Sequence, residues 1–250
     1  MKNILYFMHI PKTAGTSLNI LKSNFEIDKV YPFATYHQLF TNSKLNLDSY
    51  DFIKGHFTMS LIENIKSTTK TITVFRNPIS RVVSAYNHFM REPEANFEFN
   101  YFKKCNIKQA LQTYPWLFSN QQVKHLGWNI NLLKMPKHKI KIPFSIENWK
   151  EFYENVKMDE IYKNACINLD KLFLFGFTDR IEEFINNLYT KLNWKLPLEV
   201  PSENKAKNNQ IKEDDLSPET IKIIEKLNQY DIKLYQHARK IYKEIKLSHK

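Results

Sequence analysis

Asn3-Ile4-Leu5-Tyr6-Phe7-Met8, followed by His9-Ile10-Pro11-Lys12-Thr13-Ala14-Gly15-Thr16-Ser17, is the stretch that decides the reading of this chain. An unbroken apolar run of strand length enters a turn and then a helical pattern over about 16–25. Such a run, without polar alternation, predicts a strand buried on both faces of a parallel sheet. In the turn, Gly15 permits a tight corner with backbone N–H groups pointing inward. Thr16 and Ser17 add hydroxyl donors where the helix begins and its dipole favours negative charge. Lys12 adds a mobile cation. The segment suits a phosphate-type anion; the competing reading is an ordinary strand–turn–helix corner with incidental Thr and Ser.

The same strand-then-helix pattern recurs outward from this point. A second short strand, Tyr50-Asp51-Phe52-Ile53-Lys54, ends at Gly55-His56 and precedes a helix near 59–66. A β-branched run, Thr71-Ile72-Thr73-Val74-Phe75, ends at Arg76-Asn77-Pro78, with Pro78 suited to the first helical position. A fourth strand, Leu172–Phe177, meets a helix starting near Asp179. Helical patterns dominate about 103–168, a polar loop covers 195–216, and an amphipathic helix over about 218–246 has Ser217 as its N-cap. The expected class is α/β: a P-loop-like central parallel β-sheet flanked by helices, with a largely helical middle and C-terminal part, as one domain over 1–250. Sites on such sheets lie at the carboxyl ends of the strands, where each of these motifs falls.

The first loop is not a Walker A sequence, because Lys12 precedes Gly15 instead of following a glycine at the helix start. A P-loop kinase also needs a carboxylate for magnesium, and the later strands end in Lys54, Arg76 and Gly176-Phe177. A phosphate-bearing ligand handled without magnesium, and no metal site, is the expectation. Arg76 at a strand end, with Ser84 two turns along the next helix, can pinch a second anion between a guanidinium fork and a hydroxyl. On that helix Val82, Val83, Tyr86, Phe89 and Met90 form an apolar stripe, and Arg81, Ser84 and His88 occupy another face. Two anion sites on adjacent loops predict a ligand with two separated phosphate-type groups.

Bulk properties narrow the partners. With 250 residues, 42% apolar and 14% aromatic, the chain can bury a core and is not disordered. Its net charge of +11, from 37 Lys and Arg against 26 Asp and Glu, concentrates anions, or reflects a lysine-rich composition alone. A plain anion- or nucleic-acid-binding protein would need a continuous basic stripe; the lysines are scattered, so no nucleic-acid partner is expected. Cys105 and Cys166 lack metal spacing and read as free thiols. Neither a membrane span nor a signal peptide is evident, which predicts a cytoplasmic protein without an integral membrane segment.

The first loop, together with Phe75-Arg76-Asn77-Pro78-Ile79-Ser80-Arg81-Val82-Val83-Ser84-Ala85-Tyr86, resembles carbohydrate sulfotransferases that use 3′-phosphoadenosine 5′-phosphosulfate (PAPS). The resemblance is to the branch holding the heparan sulfate 2-O- and 6-O-sulfotransferases and their bacterial counterparts. It implies PAPS as co-substrate, with Lys12, Thr13, Ala14, Gly15, Thr16 and Ser17 at the 5′-phosphosulfate and Arg76 and Ser84 at the 3′-phosphate. It also implies a carbohydrate hydroxyl as acceptor; a lipid, a small alcohol or phenol, or a peptide tyrosine stays open. Asn120-Gln121-Gln122-Val123-Lys124-His125-Leu126 is similar to a helix near the family's acceptor cleft, and Phe175–Arg180 to its last-strand segment. Ser202-Glu203-Asn204-Lys205 falls where the family has a polar loop over the nucleotide.

For chemistry, Lys12 is the electrophilic group and His56 the expected base, with Glu63 in reserve. Lys54-Gly55-His56 resembles a His-Gly-His triplet of the 2-O branch, with Lys54 in place of the first His. His9 is expected to order the first loop. Trp116 and Trp128 flank the Asn120–Leu126 segment as candidate acceptor contacts.

Overall fold

Strand β1 (Asn3–Met8) sits beside β2 (Phe52–Gly55) on one edge and β3 (Thr68–Phe75) on the other, and β4 (Leu174–Phe177) pairs outside β3. The computed structural model describes residues 3–41, 46–91, 100–129, 157–197 and 210–248. Every pairing is parallel, with Met8 opposite Gly55, Phe7 opposite Ile72 and Phe75 opposite Phe177. The chain leaves β1 for β2, then crosses back to β3, so the loops after β1 and β3 diverge at a topological switch point. The predicted α/β class is the observed one, and all strand ends carrying the motifs lie on one edge of the sheet.

Alternation along β1 divides its apolar residues between two cores. Ile4, Tyr6 and Met8 pack with Ile53 and Phe75 on one face; Leu5 and Phe7 pack with Phe52, Ile72 and Val74 on the other. Helices α1 (Tyr36–Thr41), α2 (Pro78–Phe89), α3 (Ile107–Thr113), α4 (Pro115–Phe118), α5 (Gln121–Gly127), α6 (Met158–Asp170), α7 (Ile181–Leu192), α8 (Pro218–Leu227) and α9 (Gln229–Ser248) follow in chain order. The first core is closed by Val123 and Leu126 of α5, Ile161, Ala165 and Leu169 of α6, and Leu234 and Ala238 of α9. The second is closed by Leu18 and Leu21 and by Phe184, Ile185, Leu188 and Tyr189 of α7. A third cluster joins α2, α3 and α8 through Val82, Val83, Tyr86, Leu111 and Ile224. None of the described helices is long and apolar enough to cross a membrane.

Three local expectations change. The helix after the first loop is a 3₁₀ helix, Ser17–Asn24, in which Ser23 Oγ donates to Ile20 O at 2.7 Å and Asn24 Nδ2 to Leu21 O at 3.2 Å. Those i−3 contacts fit the tighter 3₁₀ spacing. The C-terminal amphipathic segment starts as predicted, with Ser217 Oγ accepting from Thr220 N–H at 3.2 Å, but divides at Asn228 into α8 and α9. Arg81, expected on a polar face with Ser84 and His88, is only 1% exposed. Its guanidinium bonds Phe118 O and reaches Asn228 Oδ1 at 3.5 Å. The Ser202–Lys205 loop lies outside the described residues.

Candidate active site

The turn after β1 takes its shape from backbone that side-chain-bearing residues rarely adopt. Lys12 and Ala14 both have positive φ, 70° and 60°. For residues with a Cβ that conformation costs about 1–2 kcal/mol each, so the surroundings must impose it. Thr13 between them is fully buried, and its hydroxyl donates to Ile10 O at 2.8 Å, so its side chain braces the turn. Leu18 N–H donates to Ala14 O at 3.3 Å and Asn19 N–H to Thr16 O at 3.0 Å. Among the described residues, the N–H groups of Ala14, Gly15, Thr16 and Ser17 make no backbone hydrogen bond. Successive N–H groups in alternating right- and left-handed backbone form a concavity for an anion.

Gly15 lies in a turn but has no positive φ; the left-handed positions are Lys12 and Ala14. Its role is space: a Cβ there would lie 1.8 Å from His9 Nε2. The His9 ring therefore lies directly against the loop, and only glycine lets it.

At the end of β2, His56 turns its ring towards the same place. The rings of His9 and His56 lie 4.4 Å apart, and His56 Nδ1 is 2.8 Å from His9 O. A carbonyl can only accept, so Nδ1 carries the hydrogen and Nε2 the lone pair. His56 N–H donates to Ala34 O at 2.7 Å, which fixes the backbone as well. Burial lowers the His56 pKa from 6.5, helped by the cations Lys54 and Lys12 and opposed by the bond to His9 O. His9 is pushed down well below 6.5, first by burial and then by His56, Lys54, His125 and Lys12. Both rings are thus neutral at physiological pH. Glu63, the reserve base, is exposed on a 3₁₀ helix, Met59–Asn64.

Lys54 braces the loop from beneath. Its Nζ donates to Gly15 O at 2.5 Å and Asn19 Oδ1 at 2.6 Å, and burial lowers its pKa to about 8.

At the end of β3, Arg76 Nη1 donates to Lys12 O at 3.2 Å. Burial pulls its pKa down while the Glu213 carboxylate pulls it up. Ser84 is half-buried on α2, and among the described residues it makes no hydrogen bond with Arg76. The structure thus brings together the Lys12–Ser17 loop, His9, His56 and Arg76; Ser84 stands nearby on the helix that Arg76 precedes.

The Asn120–Leu126 segment is α5 with its N-cap, buried and polar. Lys124 Nζ donates to Ser119 O at 2.8 Å and Oγ at 3.0 Å, and burial lowers its pKa to about 7. His125 bonds Gln121 O through Nδ1 at 2.7 Å, and burial lowers its pKa to about 3. Of the tryptophans, Trp128 packs against the first core and Trp116 meets Tyr114 edge-on. Sequence reading missed the ring contact of His9 and the enclosure of His125. For His9 the only local signal was a polar residue after an apolar run; His125, amid Gln121, Gln122 and Lys124, had none. Among the described residues no group of three or more His, Cys, Asp or Glu side chains could hold a metal ion.

Two likenesses to known proteins bear on this arrangement. Over 131 residues the chain is 24% identical to a protein-tyrosine sulfotransferase of Arabidopsis thaliana, an alignment covering 47% of this chain and 26% of that protein. The chain thus spans only part of the curated relative's length. Neither likeness singles out the heparan sulfate branch. A model described as the sulfotransferase family matches residues 2–238, nearly the whole described fold and every residue of the loop cluster, so the chain belongs to the sulfotransferase family.

Proposed function

We propose that this enzyme transfers a sulfuryl group from PAPS to the hydroxyl of a carbohydrate. The observation that carries the donor assignment is the loop after β1, whose N–H groups from Ala14 to Ser17 make no backbone hydrogen bond among the described residues. The 5′-phosphosulfate of PAPS would lie in that concavity, with Lys12 beside it, and the 3′-phosphate against Arg76 and Ser84.

In the transfer, the acceptor oxygen forms a bond to sulfur as the bond from sulfur to the bridging oxygen breaks. Adenosine 3′,5′-bisphosphate leaves with that electron pair. His56 Nε2, with Nδ1–H held on His9 O, takes the acceptor's proton. Lys12 neutralises charge growing on the departing oxygen. His9 and the Lys54 brace keep loop and imidazole in register.

The carbohydrate acceptor rests on the two motifs' resemblance to the heparan sulfate branch. A tyrosine hydroxyl is the second reading, because the Arabidopsis relative carries that name. Calorimetric titration with adenosine 3′,5′-bisphosphate, against ATP with and without magnesium, tests the donor site. Tight binding of the bisphosphate without metal is expected; preference for magnesium ATP would sink the proposal. Sulfate transfer to desulfated oligosaccharides and to acidic tyrosine peptides then separates the acceptors, and labelled peptide with unlabelled sugar would overturn the carbohydrate reading.

A further inference from the structure

The backbone of Arg76 is held by a side chain from α5. Gln122 Oε1 accepts from Arg76 N–H at 2.9 Å, and Gln122 Nε2 donates to Arg76 O at 2.9 Å. The last ladder partners of β3 and β4 are Phe75 and Phe177, so Arg76 is the first residue past the sheet. One carboxamide satisfying both backbone groups of one residue supplies a further rung, and the root of the guanidinium is fixed at strand precision. Gln122 is fully buried, so its side chain is not a contact for an acceptor in the cleft.

What seats Gln122 comes from the far end of the chain. The Asp231 carboxylate accepts from Gln122 N–H at 3.1 Å and Val123 N–H at 2.8 Å, acting as the cap of α5 from 108 and 109 positions away. Asn120, in left-handed backbone at φ 47°, has no cap bond of its own to offer α5. Its Oδ1 instead accepts from the N–H groups of Tyr230 and Asp231, both at 3.1 Å, and its own N–H donates to Asn228 Oδ1 at 3.0 Å. Asn228 and Asp231 are both fully buried at the break between α8 and α9. Apolar packing alone could hold a helix end in place; directed bonds to a carboxylate and an amide also fix its rotation and axial position.

We infer that Gln122, seated by Asp231, is the positioning residue that holds Arg76 in register with the 3′-phosphate of the donor. The inference rests on the donor site proposed above. Lys12 O, which Arg76 Nη1 grips, carries the same constraint into the first loop.

The test compares full-length wild type with Gln122→Met, which keeps volume and removes both bonds, and with Asp231→Asn. Affinities for adenosine 3′,5′-bisphosphate and adenosine 5′-monophosphate are measured by calorimetry, and their ratio reports the 3′-phosphate contact. Gln122→Met should lower that ratio about tenfold while 5′-monophosphate affinity stays within about twofold. Asp231→Asn should shift the ratio in the same direction by less. In an Arg76→Ala background, Gln122→Met should add nothing, because both act at one contact. An unchanged ratio, or an equal fall for both nucleotides, overturns the role of Gln122. A wild-type ratio near one instead overturns the donor-site reading itself. Hydrogen exchange on the wild type needs no folded variant: the bisphosphate should slow the amides of Arg76, Gln122 and Val123 more than the 5′-monophosphate does. Equal protection by both nucleotides overturns the inference.

Discussion

Arg76 reaches from the end of β3 to the turn after β1, where its Nη1 donates to Lys12 O at 3.2 Å. The bond crosses the switch point of the sheet and joins the two motifs into one unit. Lys12 sits in left-handed backbone, so the same bond helps impose the conformation that aims the loop.

Arg76→Ala should therefore do more than remove a charge. Losing a charge-assisted contact worth about 1.5–3 kcal/mol weakens bisphosphate binding about tenfold to hundredfold. Arg76→Lys should recover only part, since an ammonium lacks the fork. Calorimetric titration reads this, and full affinity in Arg76→Ala would rule out the 3′-phosphate assignment.

Lys12→Ala is expected to abolish turnover while bisphosphate affinity stays within about tenfold, because the charge it meets grows during transfer. Transfer of labelled sulfate measures the first effect and calorimetry the second. A variant that turns over at the wild-type rate removes Lys12 from the chemistry.

Gly15→Ala places a Cβ 1.8 Å from His9 Nε2, so one of the two must move. Donor binding and turnover should both fall. Adding His9→Ala removes the obstacle, and the double variant should bind the bisphosphate more tightly than Gly15→Ala alone. Wild-type binding by Gly15→Ala would mean that His9 does not press on the loop.

The acid limb of turnover should lie below pH 6.5. His56 accepts a proton only when neutral, and burial with the neighbouring Lys54 and Lys12 pushes its pKa below that value. As pH falls through the lowered pKa the ring becomes charged and the rate drops; at neutral pH the rate is on its plateau. In a profile of kcat/KM against pH, a limb centred above 6.5 would assign the base elsewhere. His56→Ala should lose both rate and limb.

Stability should rise with pH above about 7 through Lys124. Burial lowers its folded pKa to about 7, against 10.5 for the ordinary group. Between those values the unfolded chain holds the proton more tightly, so each rise in pH favours the folded state; below about 7 both states are protonated and the penalty is complete. Thermal midpoints at about pH 7 and about pH 9 should differ less in Lys124→Met than in wild type. An identical pH dependence in the two proteins would show that Lys124 is not the titrating group.

The α/β class, the four strands, the N-cap Ser217 and the helix start at Pro78 were legible in the sequence. They depend on local periods and on the chemistry of single turn residues, which neighbours along the chain express. The loop after β1 stood out as a composition, Lys-Thr-Ala-Gly-Thr-Ser, but its conformation was not legible. The left-handed backbone falls on Lys12 and Ala14, and Gly15 serves the His9 ring. The tertiary structure alone decided that the His9 carbonyl orients His56, that Gln122 clamps Arg76, and that Asp231 caps α5 from 109 positions away. These contacts exist only once the sheet has brought its strand ends together and α9 has packed beside α5. No local pattern encodes a partner that distant, because a buried carboxylate or amide is specified by the groups the fold sets against it.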